Sequence, residues 1–101
     1  MTSNQVDGAG VGGVGILYGG DGAGTADGNL SINQQVGFQL SDIAAPQLTN
    51  NIVEDASVAA FLIQGQSIAE LSGNSCLGGG GGIVVLEEAE PVLTNNACTI
   101  Q

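Results

Sequence analysis

The chain has 101 residues, ten of them Asp or Glu and none Lys, Arg or His, for a formal charge of −10. Without a basic side chain it can build no arginine clamp for phosphate, no Schiff-base lysine and no histidine general base. Nucleic acid and direct binding to anionic membranes, which demand cationic contacts, are excluded as partners on the same ground.

The length suits one domain, residues 1–101. Hydrophobic residues make up 43% of it, but only Tyr18, Phe38 and Phe61 are aromatic, so the core must rely on Val, Ile, Leu and Ala. Eighteen glycines raise the entropic cost of ordering and supply no packing. Association with further copies is the expected source of the missing burial.

At the start, Met1-Thr2-Ser3-Asn4-Gln5 lacks the basic region and apolar run of a signal peptide. The chain is expected to be a mature extracellular or cell-surface form, where the lack of Lys and Arg leaves trypsin-like proteases nothing to cut. Residues 6–18 follow, with Val11, Val14, Ile16 and Tyr18 as candidates for a strand shared with a neighbouring subunit. Gly10-Val11-Gly12-Gly13-Val14-Gly15 matches G-x-G-x-x-G only in outline, without the helix a dinucleotide site needs.

From Gly19 to Asn29 the chain reads as a glycine-rich loop. It partly matches G-G-x-G-x-D calcium repeats, but in a single copy. Calcium takes six to eight oxygens, and Asp21 with Asp27 supply too few, so a solvated loop is the preferred reading. Asn29-Leu30-Ser31 is a glycosylation sequon. In Leu30–Leu40, apolar residues at 30, 32, 36, 38 and 40 alternate with Ser, Asn and Gln, which predicts one half-buried strand.

Residues 51–71 fit two patterns. Asn51 with Glu54 has capping-box spacing, and Val58, Phe61, Leu62, Gly65, Ile68 and Ala69 could line a helix face. The related segment Val11–Tyr18 is too rich in glycine to be helical, so strand is predicted over 52–64, with room for a helical turn after it. Gly78–Gly82 reads as a flexible linker between strands, and Ile83-Val84-Val85-Leu86 as a strand covered on both faces. Glu87, Glu88 and Glu90 suit a charged edge strand better than catalysis, since a glycosidase cleft usually needs aromatics. No enzymatic activity, cofactor or metal site is expected.

A self-similarity at 45 residues sets Gly37–Asn51 over Gly82–Asn96, both carrying G-φ-x-φ-x-acid-x-A-x-P-x-L-T-N-N, where φ is a large apolar residue. Units of about 2–48 and 49–93 result, with 94–101 starting a third. Leu93, Cys98 and Ile100 are therefore further candidates for an inter-subunit strand. Thr49-Asn50-Asn51 and Thr94-Asn95-Asn96 read as turns, or as a stacked polar ladder. Cys76 and Cys98, the only two cysteines, are the candidate pair for one structural disulfide.

The predicted fold is all-β: a small sandwich-like or solenoid-like domain of two ~45-residue repeat units with Gly-rich linkers and strand exchange between subunits. The expected function is structural, a self-assembling subunit of a filament, pilus-like fibre or surface coat, with itself as partner. The alternative is a small soluble acidic binding or accessory module, such as a phage part or secreted domain.

Overall fold

The structure, a computed structural model, describes residues 5–7, 13–19, 24–43, 45–78 and 81–98. The chain passes four times through the same three sheets. The first coil supplies β1 (Gln5–Asp7), β2 (Val14–Tyr18) and β3 (Thr25–Asp27). The second supplies β4 (Leu30–Ile32), β5 (Val36–Leu40) and β6 (Gln47–Thr49), and the third β7 (Ile52–Glu54), β8 (Ala59–Ile63) and β9 (Glu70–Ser72). The fourth supplies β10 (Ser75–Leu77), β11 (Ile83–Val85) and β12 (Val92–Thr94).

Every strand pairs in parallel with its counterpart one coil away, giving a first sheet β1-β4-β7-β10, a second β2-β5-β8-β11 and a third β3-β6-β9-β12. Parallel neighbours cannot be joined by a tight hairpin and need a long crossover. Here the crossover is the remainder of the coil. The molecule is an all-β solenoid, not a two-sheet sandwich.

Left-handed corners turn the coil. Gly28, Asn50, Gly73 and Asn95 follow the strands of the third sheet; Asn33, Asp55 and Gly78 follow the first; Asp42, Gly65 and Glu87 follow the second, all with φ between 52° and 72°. Gly reaches this region freely, and Asn and Asp with little cost. The corners thus stack as columns filled by Gly, Asn and Asp, with Glu87 the exception.

Side chains facing inward form columns along the stack. Ile16, Phe38, Phe61 and Ile83 are successive partners in the second sheet, and the Phe38 and Phe61 rings stack with centroids 5.0 Å apart. Ala26, Leu48, Leu71 and Leu93 line the third sheet, and Ser31, Val53 and Cys76 the first. All but Cys76 and Leu93 are buried. Where the first sheet approaches the second, Gly37 leaves no room for a side chain: a Cβ would lie 2.6 Å from Val53 Cγ1 and 2.6 Å from the Ala60 carbonyl oxygen.

Several expected elements come out differently. Leu30–Leu40 is two strands, because the corner at Asn33 interrupts it. Its alternation changes phase there: Ser31 points inward in β4 while Leu30 and Ile32 are half-buried, and Val36, Phe38 and Leu40 are buried in β5. The strand predicted over 52–64 is likewise β7 and β8 around the Asp55 corner, and residues 65–66 form a turn with no helical turn after it. Ile83 is buried, but Val84 and Val85 are half-buried and Leu86 is exposed, since β11 is the outermost strand of its sheet and has only β8 beside it. The acidic run is a turn between β11 and β12, not an edge strand. Gly81–Gly82 is a fixed corner: the Gly81 N–H donates to the Ala56 carbonyl at 2.9 Å, and the Gly82 carbonyl accepts from Ala60 and Phe61.

Candidate assembly interface

An asparagine begins each new coil at the same place, one residue past the left-handed corner of the third sheet. Asn29, Asn51 and Asn74 are buried and Asn96 half-buried. The Asn51 Oδ1 accepts from the Asn29 backbone N–H at 2.9 Å and from its Nδ2 at 3.0 Å. Asn74 accepts from Asn51 in the same two ways, 23 residues on, and Asn96 from Asn74 after a further 22. Each Nδ2 also donates to a backbone carbonyl of the third sheet: Asn51 to Ala26, Asn74 to Leu48 and Asn96 to Leu71.

The ladder corrects two readings at once. Asn50 and Asn95 are the turn, and Asn51 and Asn96 are the ladder. The 45-residue similarity spans two coils, since ladder steps measure 22 or 23 residues. The spacing of Asn29, Asn51, Asn74 and Asn96, three of them preceded by Leu-[Ser/Thr]-[Gly/Asn], carried that signal in the sequence. The sequon asparagine Asn29 is a rung of the ladder, and its amide donates to Asn51 inside it.

Cys76 and Cys98 are bonded, with Cα atoms 5.1 Å apart and a separation of 22 residues, one coil. The bond stands beside the bridge of Ser75 with Ala97, so it ties the segment after Asn96 onto β10. Both sulfur-bearing residues pack against the core.

The strand candidates are placed as follows. Val14, Ile16 and Tyr18 lie in β2 and pair within the chain with Val36, Phe38 and Leu40. Ile16 is buried in the core, and Tyr18 packs against it, so that burial pushes the Tyr18 phenol above its ordinary value. Leu93 lies in β12 opposite Leu71. Val11 and Ile100 lie outside the described residues.

The ends of the stack leave strand edges without a partner among the described strands. β2 and β3 at one end, and β11 and β12 at the other, each use a single edge within the described sheets. Exposed large apolar residues occur there, Val14 (42%) and Leu17 (61%) at one end and Leu86 (44%) and Val92 (59%) at the other, as they do in the middle coils at Ile43, Ile52, Val58 and Ile68.

Among the described residues the acidic groups make separate contacts. Glu87 accepts from the Gly65 N–H and Glu88 from the Gln66 amide, both at 3.3 Å. Asp27 accepts from the Thr49 hydroxyl at 2.9 Å and the Asn50 amide at 3.3 Å, and its proposed calcium partner Asp21 lies outside the described residues. Among the described residues no group of three or more His, Cys, Asp or Glu is placed to hold a metal ion.

Compared with known proteins, residues 1–99 match the family described as "Right handed beta helix region". No curated protein and no solved structure matches.

Proposed function

Because the chain belongs to the right-handed β-helix family, we propose that it is a structural, self-assembling protein, the subunit of an extracellular filament, pilus-like fibre or surface coat joined by β-strand pairing between subunits. The observation that carries this reading is the pair of unpaired ends. A parallel sheet edge is a template for another chain, and solenoids that stay monomeric need a polar capping unit. Here the end strands β2, β3, β11 and β12 have one edge each without a partner among the described strands, with apolar Val14, Leu17, Leu86 and Val92 exposed beside them. The disulfide supports an oxidising location outside the cytoplasm.

Electron microscopy and fibre diffraction of the purified full chain test this. The expected result is long unbranched fibres with a meridional repeat of about 4.7–4.8 Å along the stack. Glutamate at both ends, Val14→Glu with Val92→Glu, should leave the fold intact by circular dichroism and abolish the fibres. Uniform small particles at every concentration would overturn the reading. They would favour a compact acidic binding module, for which the polar column Asp27-Thr49-Ser72-Thr94 on the outside of the third sheet is the supporting feature.

A further inference from the structure

The ten carboxylates are unevenly distributed over the three outer faces. The first sheet carries Glu54, and the third carries Asp27 and Glu70. Asp42, Asp55, Glu87, Glu88 and Glu90 sit at corners and turns, and Asp21 lies outside the described residues. The second sheet has none: β2 reads VGILY, β5 VGFQL, β8 AAFLI and β11 IVV. Its outward side chains form one column of successive partners, Leu17, Gln39, Leu62 and Val84. Leu17 is 61% exposed, and the other three are half-buried.

We infer that this face pairs with the same face of a second copy of the chain. The argument is electrostatic. With a charge of −10 and no cation, two copies brought together through the first or third sheet bury carboxylates in the contact, and no basic residue is available to pair with them. Through the second sheet they meet on an uncharged, mainly apolar surface rimmed by the corner carboxylates Asp42, Asp55 and Glu87, the arrangement of an apolar centre within a polar border. A two-fold axis parallel to the strands reverses the column, so Leu17 packs on Val84 of the other copy and Gln39 on Leu62, an isologous contact.

Size sets the strength. Three strands of five residues and one of three cover roughly 300 Å², well below the ~800 Å² per partner of a standard stable complex. One pair of chains therefore associates weakly. Chains stacked end to end would present the face repeatedly and gain by avidity, binding two stacks side by side. Face pairing needs no stacking, however. Discrete pairs without fibres would sink the filament reading and leave the pairing standing, whereas single-file fibres with no pairing would do the reverse.

Sedimentation equilibrium of the full chain over a concentration series tests the pairing. The expected result is a concentration-dependent dimer that tightens with salt as the rim carboxylates are screened. Gln39→Glu, nearly isosteric and on the surface, should weaken it at least about tenfold, as should Leu62→Glu, while Ile52→Glu on the first sheet should leave it unchanged. Circular dichroism confirms that each variant is folded, and Gln39→Glu carries the test if Leu62→Glu is not. A parent chain that stays monomeric at its highest soluble concentration in high salt, leaving the face to an unrelated partner, overturns the proposal. So does a dimer indifferent to Gln39→Glu.

Discussion

At the scale of single residues, the fold depends on side chains that satisfy backbone groups. Asn51 serves as acceptor for the Asn29 N–H and amide and as donor to Ala26 and Asn74 while only 1% exposed. Asn51→Ala would leave several of these groups buried without partners, at about 1–3 kcal/mol each, so a loss of about 4 kcal/mol is expected by urea denaturation. Asn96→Ala, at the half-buried end of the ladder, should cost only about 1 kcal/mol because water can replace it. Glu87 is the opposite case. It holds φ 60° in a column otherwise occupied by Asp42 and Gly65, and a left-handed residue other than Gly costs about 1 kcal/mol. Glu87→Gly should therefore raise stability by about that amount, whereas a Cβ at Gly65 would lie 2.7 Å from the Asp42 nitrogen and Gly65→Ala should lower it. Tyr18 supplies a pH dependence. Burial favours its neutral form, so the phenol ionises more readily in the unfolded chain than in the folded one. Stability should hold below pH 10.0, the ordinary tyrosine value, and fall as pH rises through the folded one. As Tyr18 is the only tyrosine and there is no tryptophan, ultraviolet titration reads it alone; a midpoint at or below the ordinary value would refute the burial.

At the scale of elements, what the sequence made legible was strand content, the turns at Asn50 and Asn95 and the cysteine pair; what it concealed was the coil and most of its corners. Coils two and four share Pro46 and Pro91 and repeat Thr-Asn-Asn, while the third coil puts Ala69 at the proline position and Ser72-Gly73-Asn74 at the turn. The backbone accepts either set, because Gly and Asn both reach the left-handed corner and Ala can replace Pro before a strand. Residue identity therefore repeats at twice the spacing of the structure. The strand over 30–40 was misread for a related reason, since an alternating pattern carries no mark of a corner that reverses its phase. Ser31 faces inward as the counterpart of Val53 and Cys76, a position that polarity alone assigns to solvent. The last of these columns continues through the disulfide. Its loop of 22 residues implies about 3 kcal/mol by restricting the unfolded chain. Replacing both cysteines by alanine should lower the stability by that order. The increase in amide exchange should be confined to the fourth coil and residues 95–97, because Asn96 and Ala97 stay hydrogen-bonded to Asn74 and Cys76. Exchange that rises equally in β4 and β5 would show the coils to be more strongly coupled than a nearest-neighbour stack allows.

At the scale of the whole molecule, the charge distribution decides what the solenoid can tolerate. Its extents are 30 × 25 × 25 Å, and at 0.01 M salt the screening length is about 30 Å. In dilute buffer every carboxylate therefore repels every other, across coils and across the core, with no cation to offset them. At 0.1 M the length falls to about 10 Å, and at 1 M to about 3 Å, shorter than the spacing between strands. The folded chain holds its carboxylates closer together than the unfolded chain does, so screening relieves the folded state more. The thermal midpoint should rise steadily with sodium chloride, by several degrees if about 1 kcal/mol of repulsion is removed, in a series followed by circular dichroism at fixed protein concentration. A midpoint independent of salt would mean that the corner and face carboxylates are already too far apart to interact. Association should respond more steeply than stability, because bringing two copies together sets one −10 charge against another. The uncharged second sheet then becomes the preferred meeting surface at low salt, while the end edges, which lie next to Asp27 in β3 and to Glu87, Glu88 and Glu90 before β12, gain most as salt is added. Salt should therefore separate the two contacts in order, side-by-side pairs first and stacked fibres after.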